Sequence, residues 1–157
     1  PRSVAFHFDI MCPYAFQTSH WMREVRDLLD LDVSWRFFSL EEINRAEGKK
    51  HPWQREWSYG WSMMRIGALL RRIDPGLLDR WYLAAGTALH VEGNKPHRRE
   101  VAEALIGHLG LDPALVGQAL GDPGTHGLLR AALQRDLDVG VVAQVEEPRG
   151  VRVVTTP

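Results

Sequence analysis

The sequence predicts an α/β fold in which a large, all-helical insertion lies between an N-terminal β-α-β unit and a return to strands at the end of the chain. Residues 1–40 alternate between strand-like and helix-like patterns, and residues 41–137 carry helical patterns alone. Residues 138–157 include a β-branched stretch that is typical of a strand. A single strand is not stable by itself, so this late strand is expected to join the first two in one sheet.

The N-terminal unit shows the period-2 alternation of strands on either side of a helix. The alternating apolar positions are Val4, Phe6 and Phe8 in the first strand and Val33, Trp35 and Phe37 in the second. The apolar residues at helical spacing between them are Tyr14, Trp21, Met22, Val25, Leu28 and Leu29. A helix between two strands predicts a crossover that joins parallel neighbours.

Helical stripes separated by turn residues make up the insertion. The first stripe consists of Trp53, Trp57, Trp61, Met64 and Ala68, and the second of Leu78, Trp81, Tyr82, Ala85 and Leu89. Asp74-Pro75 is expected to end the first of these helices and begin the second. Thr125 is expected to cap the last helix, which runs to about Leu137.

Composition and charge exclude several classes of protein. The chain has 157 residues, of which 45% are hydrophobic, and this is enough for one domain with a substantial core. Its net charge of -1 argues against a nucleic-acid binder and against a polybasic membrane anchor. No apolar run approaches the roughly 18 to 20 residues of a membrane span, and no signal peptide is visible. The single cysteine predicts a cytoplasmic location and excludes an intramolecular disulfide.

The chemically reactive side chain lies where the first strand meets the first helix. Cys12 follows the strand and precedes Pro13, which suits the first helical position, so Cys12 occupies the N-cap. The backbone N–H groups of the first helical turn and the helix dipole both favour negative charge there. Because the thiolate is the nucleophilic form of cysteine, the position predicts a reactive Cys12. A small buried residue that happens to precede a helix is the alternative interpretation.

The segment Phe8-Asp9-Ile10-Met11-Cys12-Pro13-Tyr14-Ala15 resembles the active-site turn of the DsbA-like branch of the thioredoxin superfamily. It is similar to the actinobacterial group that includes mycothiol-dependent nitroreductases, which carry Phe-Asp-x-x-Cys-Pro-Trp-Cys and then Thr-Ser-x-Trp. Thr18-Ser19-His20-Trp21 matches the second of these stretches, and residues 38–40 and 88–97 are also similar to that group. The resemblance implies a thioredoxin-like fold with a helical insertion, and an oxidoreductase.

One departure from the family concerns the second cysteine, whose place is taken by Ala15. A two-cysteine enzyme releases its own mixed disulfide, and this chain has no second thiol to do so. The resemblance therefore implies a monothiol cycle through Cys12, which an external low-molecular-weight thiol completes. Mycothiol is the thiol that the actinobacterial group implies, and glutathione is the alternative; no tightly bound cofactor and no metal are expected.

A second departure concerns the end of the chain. Thr156 and Pro157 resemble the strand end where thioredoxin-like proteins place a cis-proline and pair the preceding backbone with substrate. A plain terminal proline is the alternative interpretation. The family continues past this proline with two strands and a helix, so a terminal hairpin and helix are expected to be missing from this chain.

Other candidate site residues each have a structural alternative. Asp9 could assist proton movement and thiolate formation at Cys12, although as an anion it would oppose the thiolate. Tyr14 could orient a bound thiol or simply pack. His20, Trp57 and Trp61 could line a substrate pocket between insertion and core, although aromatic residues at helical spacing are more often core.

The sequence as a whole predicts a DsbA-like thiol-disulfide oxidoreductase or thiol transferase. Its expected partners are a small-molecule thiol and a disulfide or electrophilic substrate, without nucleic acid or membrane, and a homodimer is one alternative for its assembly. Two other functions stay open. One is a kappa-type glutathione transferase or hydroxychromene-carboxylate isomerase, and the other is a non-catalytic thioredoxin-like binding module, for which Ala15 is the main support.

Overall fold

The structure is a computed structural model that describes residues 2–55 and 58–138. Its two strands are β1 (Arg2–Phe8) and β2 (Leu31–Phe37). The α-helices of this part of the chain are α1 (Pro13–Leu29), α2 (Leu40–Ile43), α3 (Tyr59–Ile73), α4 (Pro75–His90), α5 (Arg99–His108), α6 (Ala114–Gly121) and α7 (Pro123–Asp138), with a 3₁₀-helix at Pro52–Gln54. The predicted order of strand, helix, strand and helical insertion is confirmed.

The two strands are parallel neighbours, as the crossover pattern predicts. Their register runs from Arg2 opposite Leu31 to Phe8 opposite Phe37. The predicted alternation is confirmed, because the buried side chains at the carboxyl ends of the strands are Phe6, Phe8, Trp35 and Phe37. The predicted late strand lies outside the described residues.

Helix α1 confirms the predicted helix, but only part of its apolar side chains are buried. Its buried residues are Phe16, Ser19 and Met22, whereas Tyr14, Trp21, Leu28 and Leu29 are exposed. Periodicity predicts the helix but not its buried face, because α1 carries apolar residues on two faces. The side chains of Phe16 and Arg23 contact α4, and Arg23 also lies over the ring of Trp35 on β2, so the buried face of α1 meets both α4 and the sheet.

Helix α3 begins later than the tryptophan stripe predicts. Pro52 starts the separate 3₁₀-helix, which carries Trp53, and α3 begins at Tyr59 after the extended backbone of Ser58. The stripe prediction was therefore wrong about Trp53, which joins the hydrophobic core from outside α3. From Trp61 onward the prediction is confirmed, since Met64 and Ala68 are buried along the same helix.

Helices α3 and α4 form the centre of the insertion. Trp81 on α4 is fully buried and its indole N–H donates to the carbonyl oxygen of Met63 on α3 at 3.0 Å. Tyr82 stacks on Phe8 of β1 with ring centroids 4.0 Å apart. This contact joins the insertion to the sheet in one hydrophobic core.

The start of α7 corrects another prediction. Thr125 lies inside the helix, fully buried, and its hydroxyl donates to the carbonyl oxygen of Ala119 at 2.7 Å. Asp122 does the capping instead, because its Oδ1 accepts the N–H of Gly124 at 2.7 Å. The sequence offers two residues of capping type here, and Pro123 at the first helical position favours the one before it.

Candidate active site around Cys12

Cys12 caps the N-terminus of α1, as its position in the sequence predicts. Its backbone is extended, with φ -85° and ψ 110°, and its Sγ accepts the N–H of Ala15 at 3.4 Å. Pro13 brings no N–H, so Tyr14 and Ala15 supply the first donors of the helix. Cys12 is half-buried at the N-terminal end of this 17-residue helix, where the helix dipole is positive.

Asp9 organises the turn that leads from β1 to Cys12. Its Oδ1 accepts the N–H of Met11 at 2.9 Å, and its Oδ2 accepts the N–H of Leu40, the first residue of α2, at 2.8 Å. Its backbone carbonyl accepts the N–H of Cys12 at 2.9 Å. The carboxyl of Asp9 therefore ties the cysteine turn to the segment that follows β2.

Burial raises the pKa of Asp9 to about 6, because it disfavours the charged carboxylate. The hydrogen bonds from Leu40 and Met11 lower the pKa but do not outweigh burial. The nearby charge of Glu41 adds to the increase, and a charged His90 opposes it. Asp9 can therefore change its protonation state near neutral pH, three residues before a thiol that would have to lose a proton to act as a nucleophile.

The N-termini of α2 and α3 adjoin this turn. Ser58, just before α3, donates to Oε2 of Glu41 at 2.6 Å, and Arg55 lies 3.6 Å from the same oxygen. A Cβ added at Gly60 would lie 3.3 Å from the Met11 side chain and 3.6 Å from Oδ1 of Asp9, so the start of α3 approaches this turn closely. The insertion thus packs directly against the residues that precede Cys12.

The end of α4 contacts the same turn from another side. His90 Nε2 lies 2.7 Å from the carbonyl oxygen of Ile10, and the His90 ring packs on Phe16 with centroids 5.4 Å apart. One turn earlier, Gly86 faces the Phe16 ring so closely that an added Cβ would lie 2.3 Å from it. The first turn of α1 and the last turn of α4 are therefore in tight contact.

The predicted site residues divide into three groups. Pro13, Tyr14, Ala15 and Asp9 surround Cys12 in the same turn, with Tyr14 74% exposed. His20 packs edge-on against Phe16, and Trp61 is buried between Trp53 and His126. Trp57, Thr156 and Pro157 lie outside the described residues. The roles predicted for these residues stay predictions.

The contact between His90 and Ile10 was not predicted from the sequence. The segment from His90 to Asn94 stands out as similar to the family, but nothing in it indicates which atom the imidazole would contact. The bond to Ile10 joins residues 80 positions apart, and only the packing of α4 on α1 brings them together. The contact between Asp9 and Leu40 could not be predicted either, because Leu40 takes part through its backbone N–H and every residue type except proline has one.

The described residues contain neither a candidate metal centre nor a candidate membrane-spanning helix. Between residues 2 and 138, leaving out 56 and 57, no group of three or more His, Cys, Asp or Glu side chains is arranged to hold a metal ion. Within those same ranges, no helix combines the length and the apolar character that a bilayer crossing requires.

Comparison with known proteins identifies relatives of this arrangement. A family model described as Rv2466c-like, mycothiol-dependent nitroreductase Rv2466c, matches residues 11–153. The uncharacterized protein Rv2286c of Mycobacterium tuberculosis is 56% identical over 138 residues. That alignment covers 88% of this chain and 60% of Rv2286c, so the chain spans less than two thirds of this relative.

Solved structures of similar fold come from other bacteria. A candidate protein disulfide isomerase from Nitrosomonas europaea matches with a TM-score of 0.70 and 13% identity, over 90% of this chain and 81% of that one. The cytosolic disulfide reductase DsbM from Pseudomonas aeruginosa, solved with GSH, matches with a TM-score of 0.66 and 15% identity, over 90% and 83% of the two chains. At these identities the matches support the fold alone, and they confirm the predicted thioredoxin-like fold with a helical insertion.

Proposed function

Because this chain belongs to the Rv2466c-like family of mycothiol-dependent nitroreductases, a DsbA-like family, we propose that it is a thiol-disulfide oxidoreductase or thiol transferase that works through Cys12 alone. The observation that carries the proposal is the position of the Cys12 sulfur at the N-cap of α1, where it accepts the N–H of Ala15 at 3.4 Å. Charge on the sulfur is favoured there by the helix dipole and by this donor.

The proposed cycle has two exchange steps. The Cys12 thiolate attacks one sulfur of a substrate disulfide, forms a mixed disulfide with it and releases the other sulfur as a thiolate. A low-molecular-weight thiolate then attacks the mixed disulfide, bonds to the substrate sulfur and releases Cys12 as a thiolate. The external thiol supplies the electrons, because Ala15 stands where a second cysteine would act. Family membership supports mycothiol as this thiol, with glutathione as the alternative.

The neighbouring residues have separate proposed roles. Asp9 holds the turn through Met11 and Leu40 and exchanges a proton near neutral pH. Tyr14 is exposed beside Cys12 and would contact the bound thiol. Pro13 sets the helix start without competing for a hydrogen bond.

The remaining predictions belong to the same proposal. Thr156 and Pro157 would pair with the substrate backbone, and His20, Trp57 and Trp61 would line the substrate pocket. Residues 1–40 and 138–157 would form the thioredoxin-like core around the insertion at 41–137. A thiol cycle of this kind is expected in a reducing cytoplasm.

The test compares Cys12→Ser and Cys12→Ala with the parent chain in a thiol-transfer assay that uses a mixed disulfide of mycothiol or glutathione. Serine can also cap α1, so a loss of activity in Cys12→Ser reflects the missing sulfur rather than a less stable helix. The monothiol cycle requires both variants to lose activity. Activity retained in Cys12→Ser alone would instead support a kappa-type transferase, which binds the cofactor thiol without forming a disulfide.

Mass spectrometry separates the proposal from the non-catalytic alternative. After incubation with oxidised mycothiol or glutathione, the parent chain is expected to gain the mass of one thiol at Cys12, and added free thiol is expected to remove it. Cys12→Ser is the control that gains no mass. A parent chain that forms no adduct would favour the binding module.

A further inference from the structure

We propose that His90 is a positioning residue for Cys12: its imidazole donates a hydrogen bond to the carbonyl oxygen of Ile10 and so fixes the backbone that presents the sulfur. The inference deepens the proposed function and rests on it. His90 Nε2 lies 2.7 Å from that oxygen, a length typical of a strong hydrogen bond. A carbonyl oxygen only accepts, so Nε2 carries the hydrogen.

The bond from His90 completes the restraint on one peptide unit. The peptide between Ile10 and Met11 has its carbonyl held by His90 and its N–H held by Oδ1 of Asp9 at 2.9 Å. A peptide unit moves as a rigid plane, so contacts at both ends stop it from rotating. The next residue along the chain is Cys12.

The position of His90 is itself well determined. It is the last residue of α4, and its ring packs on Phe16 of α1 with an interplanar angle of 32°. Gly86, one turn before, allows α4 to approach Phe16 without a side chain between them. Since Phe16 is 3% exposed, the imidazole rests on a part of α1 that has little freedom to move.

Restraint of this peptide matters because the Cys12 cap depends on backbone geometry. Cys12 keeps its sulfur over the N-terminus of α1 only while its backbone stays extended at φ -85° and ψ 110°. Its own N–H is bound to the Asp9 carbonyl across the turn at 2.9 Å. If the Ile10–Met11 peptide rotates, this turn opens and the sulfur leaves the donors that favour its thiolate.

The test measures the rate of iodoacetamide alkylation of Cys12 against pH, together with thiol transfer, in His90→Leu and His90→Gln. Leucine removes the donor, and we expect the midpoint of the alkylation profile to rise by about half a pH unit or more. We expect thiol transfer in this variant to fall by roughly tenfold. The glutamine amide restores a donor, and we expect it to recover both quantities to within about twofold of the parent chain.

His108→Leu is the matched control. His108 also ends a helix and contacts a backbone carbonyl, that of Ala104, at 2.7 Å, but it is exposed on α5. We expect this control to keep the parent alkylation profile. A His90→Leu variant with the parent midpoint and transfer rate would overturn the proposal, as would a His90→Gln variant that behaves like His90→Leu.

A measurement on the unaltered chain keeps the proposal testable if His90→Leu does not fold. The ¹⁵N chemical shifts of the His90 ring are expected to show the tautomer with hydrogen on Nε2, and the opposite tautomer would overturn the inference. The alkylation midpoints distinguish a failure of the proposed function from a failure of the role of His90. A parent chain whose Cys12 is alkylated with a midpoint near the ~8.5 of a free cysteine argues against the proposed function. A low parent midpoint that the His90 variants leave unchanged argues against His90 alone.

Discussion

At the scale of single residues, the carboxyl of Asp9 couples the stability of the fold to pH. Its pKa is about 6 in the folded chain, against 3.8 for an ordinary aspartate, because burial disfavours its charge. A carboxyl whose pKa is raised by folding contributes stability below pH 3.8 and loses it as pH rises through about 6. At neutral pH, the raised pKa of Asp9 therefore lowers the free energy of unfolding by about 3 kcal/mol relative to its value in acid.

We predict that Asp9→Asn abolishes this part of the pH dependence, since asparagine has no charge to bury. The measurement is urea denaturation at pH 4 and pH 7. In the parent chain, Asp9 should lower the free energy of unfolding at pH 7 relative to pH 4. In the variant, the difference between the two pH values should be smaller. Asp32→Asn, at an exposed position of β2, is the control and should keep the parent dependence. An equal pH dependence in parent and Asp9→Asn would contradict the prediction.

At the scale of the elements, the contact between α1 and α4 decides how the cysteine helix is held. Phe16 fills the space opposite Gly86, and Arg23 of α1 reaches Asp79 of α4 with an Nε to Oδ1 distance of 2.8 Å. The Arg23 guanidinium also lies over the Trp35 ring, 4.7 Å from its centroid. Side-chain packing and ion pairs therefore both hold α1 against α4.

Gly86→Ala tests the packing part of this junction. The new Cβ would lie 2.3 Å from the Phe16 ring, and both elements are buried there, so we predict a loss of about 1–3 kcal/mol in the free energy of unfolding. Gly127→Ala is the matched control, because nothing lies within 4 Å of its added Cβ on α7. Alanine favours helix over glycine, so the control should gain up to about 1 kcal/mol. Equal stability changes in the two variants would contradict the assigned contact.

Asp79→Asn tests the ion pairs between α1 and α4. Asp79 is bonded to both Arg23 and Arg26, and the pair with Arg23 is largely shielded from water. We predict a loss of about 1–3 kcal/mol in the free energy of unfolding, measured by urea denaturation. Asp27→Asn, whose side chain is 72% exposed beside Arg26, is the control and should cost less than about 0.5 kcal/mol. A larger effect from Asp27 than from Asp79 would refute the ranking.

At the scale of the whole molecule, α1 presents a second apolar face that runs along the helix from the cysteine turn. Tyr14, Trp21, Leu28 and Leu29 are 74%, 52%, 81% and 64% exposed. Exposed apolar side chains in one patch bind hydrophobic dyes and promote self-association. The same helix thus contributes Phe16 and Met22 to the core and a separate apolar surface outside it.

Trp21→Gln combined with Leu28→Gln tests this surface. We predict less binding of a hydrophobic dye than in the parent chain, with a free energy of unfolding within about 0.5 kcal/mol of the parent, because both side chains are exposed. Met22→Gln on the same helix is the contrast, since Met22 is 2% exposed and its loss from the core should cost several kcal/mol. A large loss in the free energy of unfolding of the double variant would contradict the prediction, because it would mean that this face of α1 is buried.

The sequence by itself determined the order of the elements and the position of Cys12 at a helix start. Alternation at Phe6 and Phe8, Pro13 at the first helical position and the cysteine before it are all local features. Local features act through backbone geometry within a few residues, so they depend less on the tertiary arrangement than long-range contacts do. For this reason β1, α1 and β2 follow one another in the order that the patterns predict.

Only the tertiary structure decided which face of α1 is buried and which groups hold the cysteine turn. Periodicity in α1 fits two faces, and packing against α4 and β2 selects the one with Phe16. The partners of the turn, Leu40 and His90, lie 31 and 80 positions from the residues they bind. Contacts at such separations depend on how the helices pack against the sheet, and that packing is a property of the whole core rather than of any short segment.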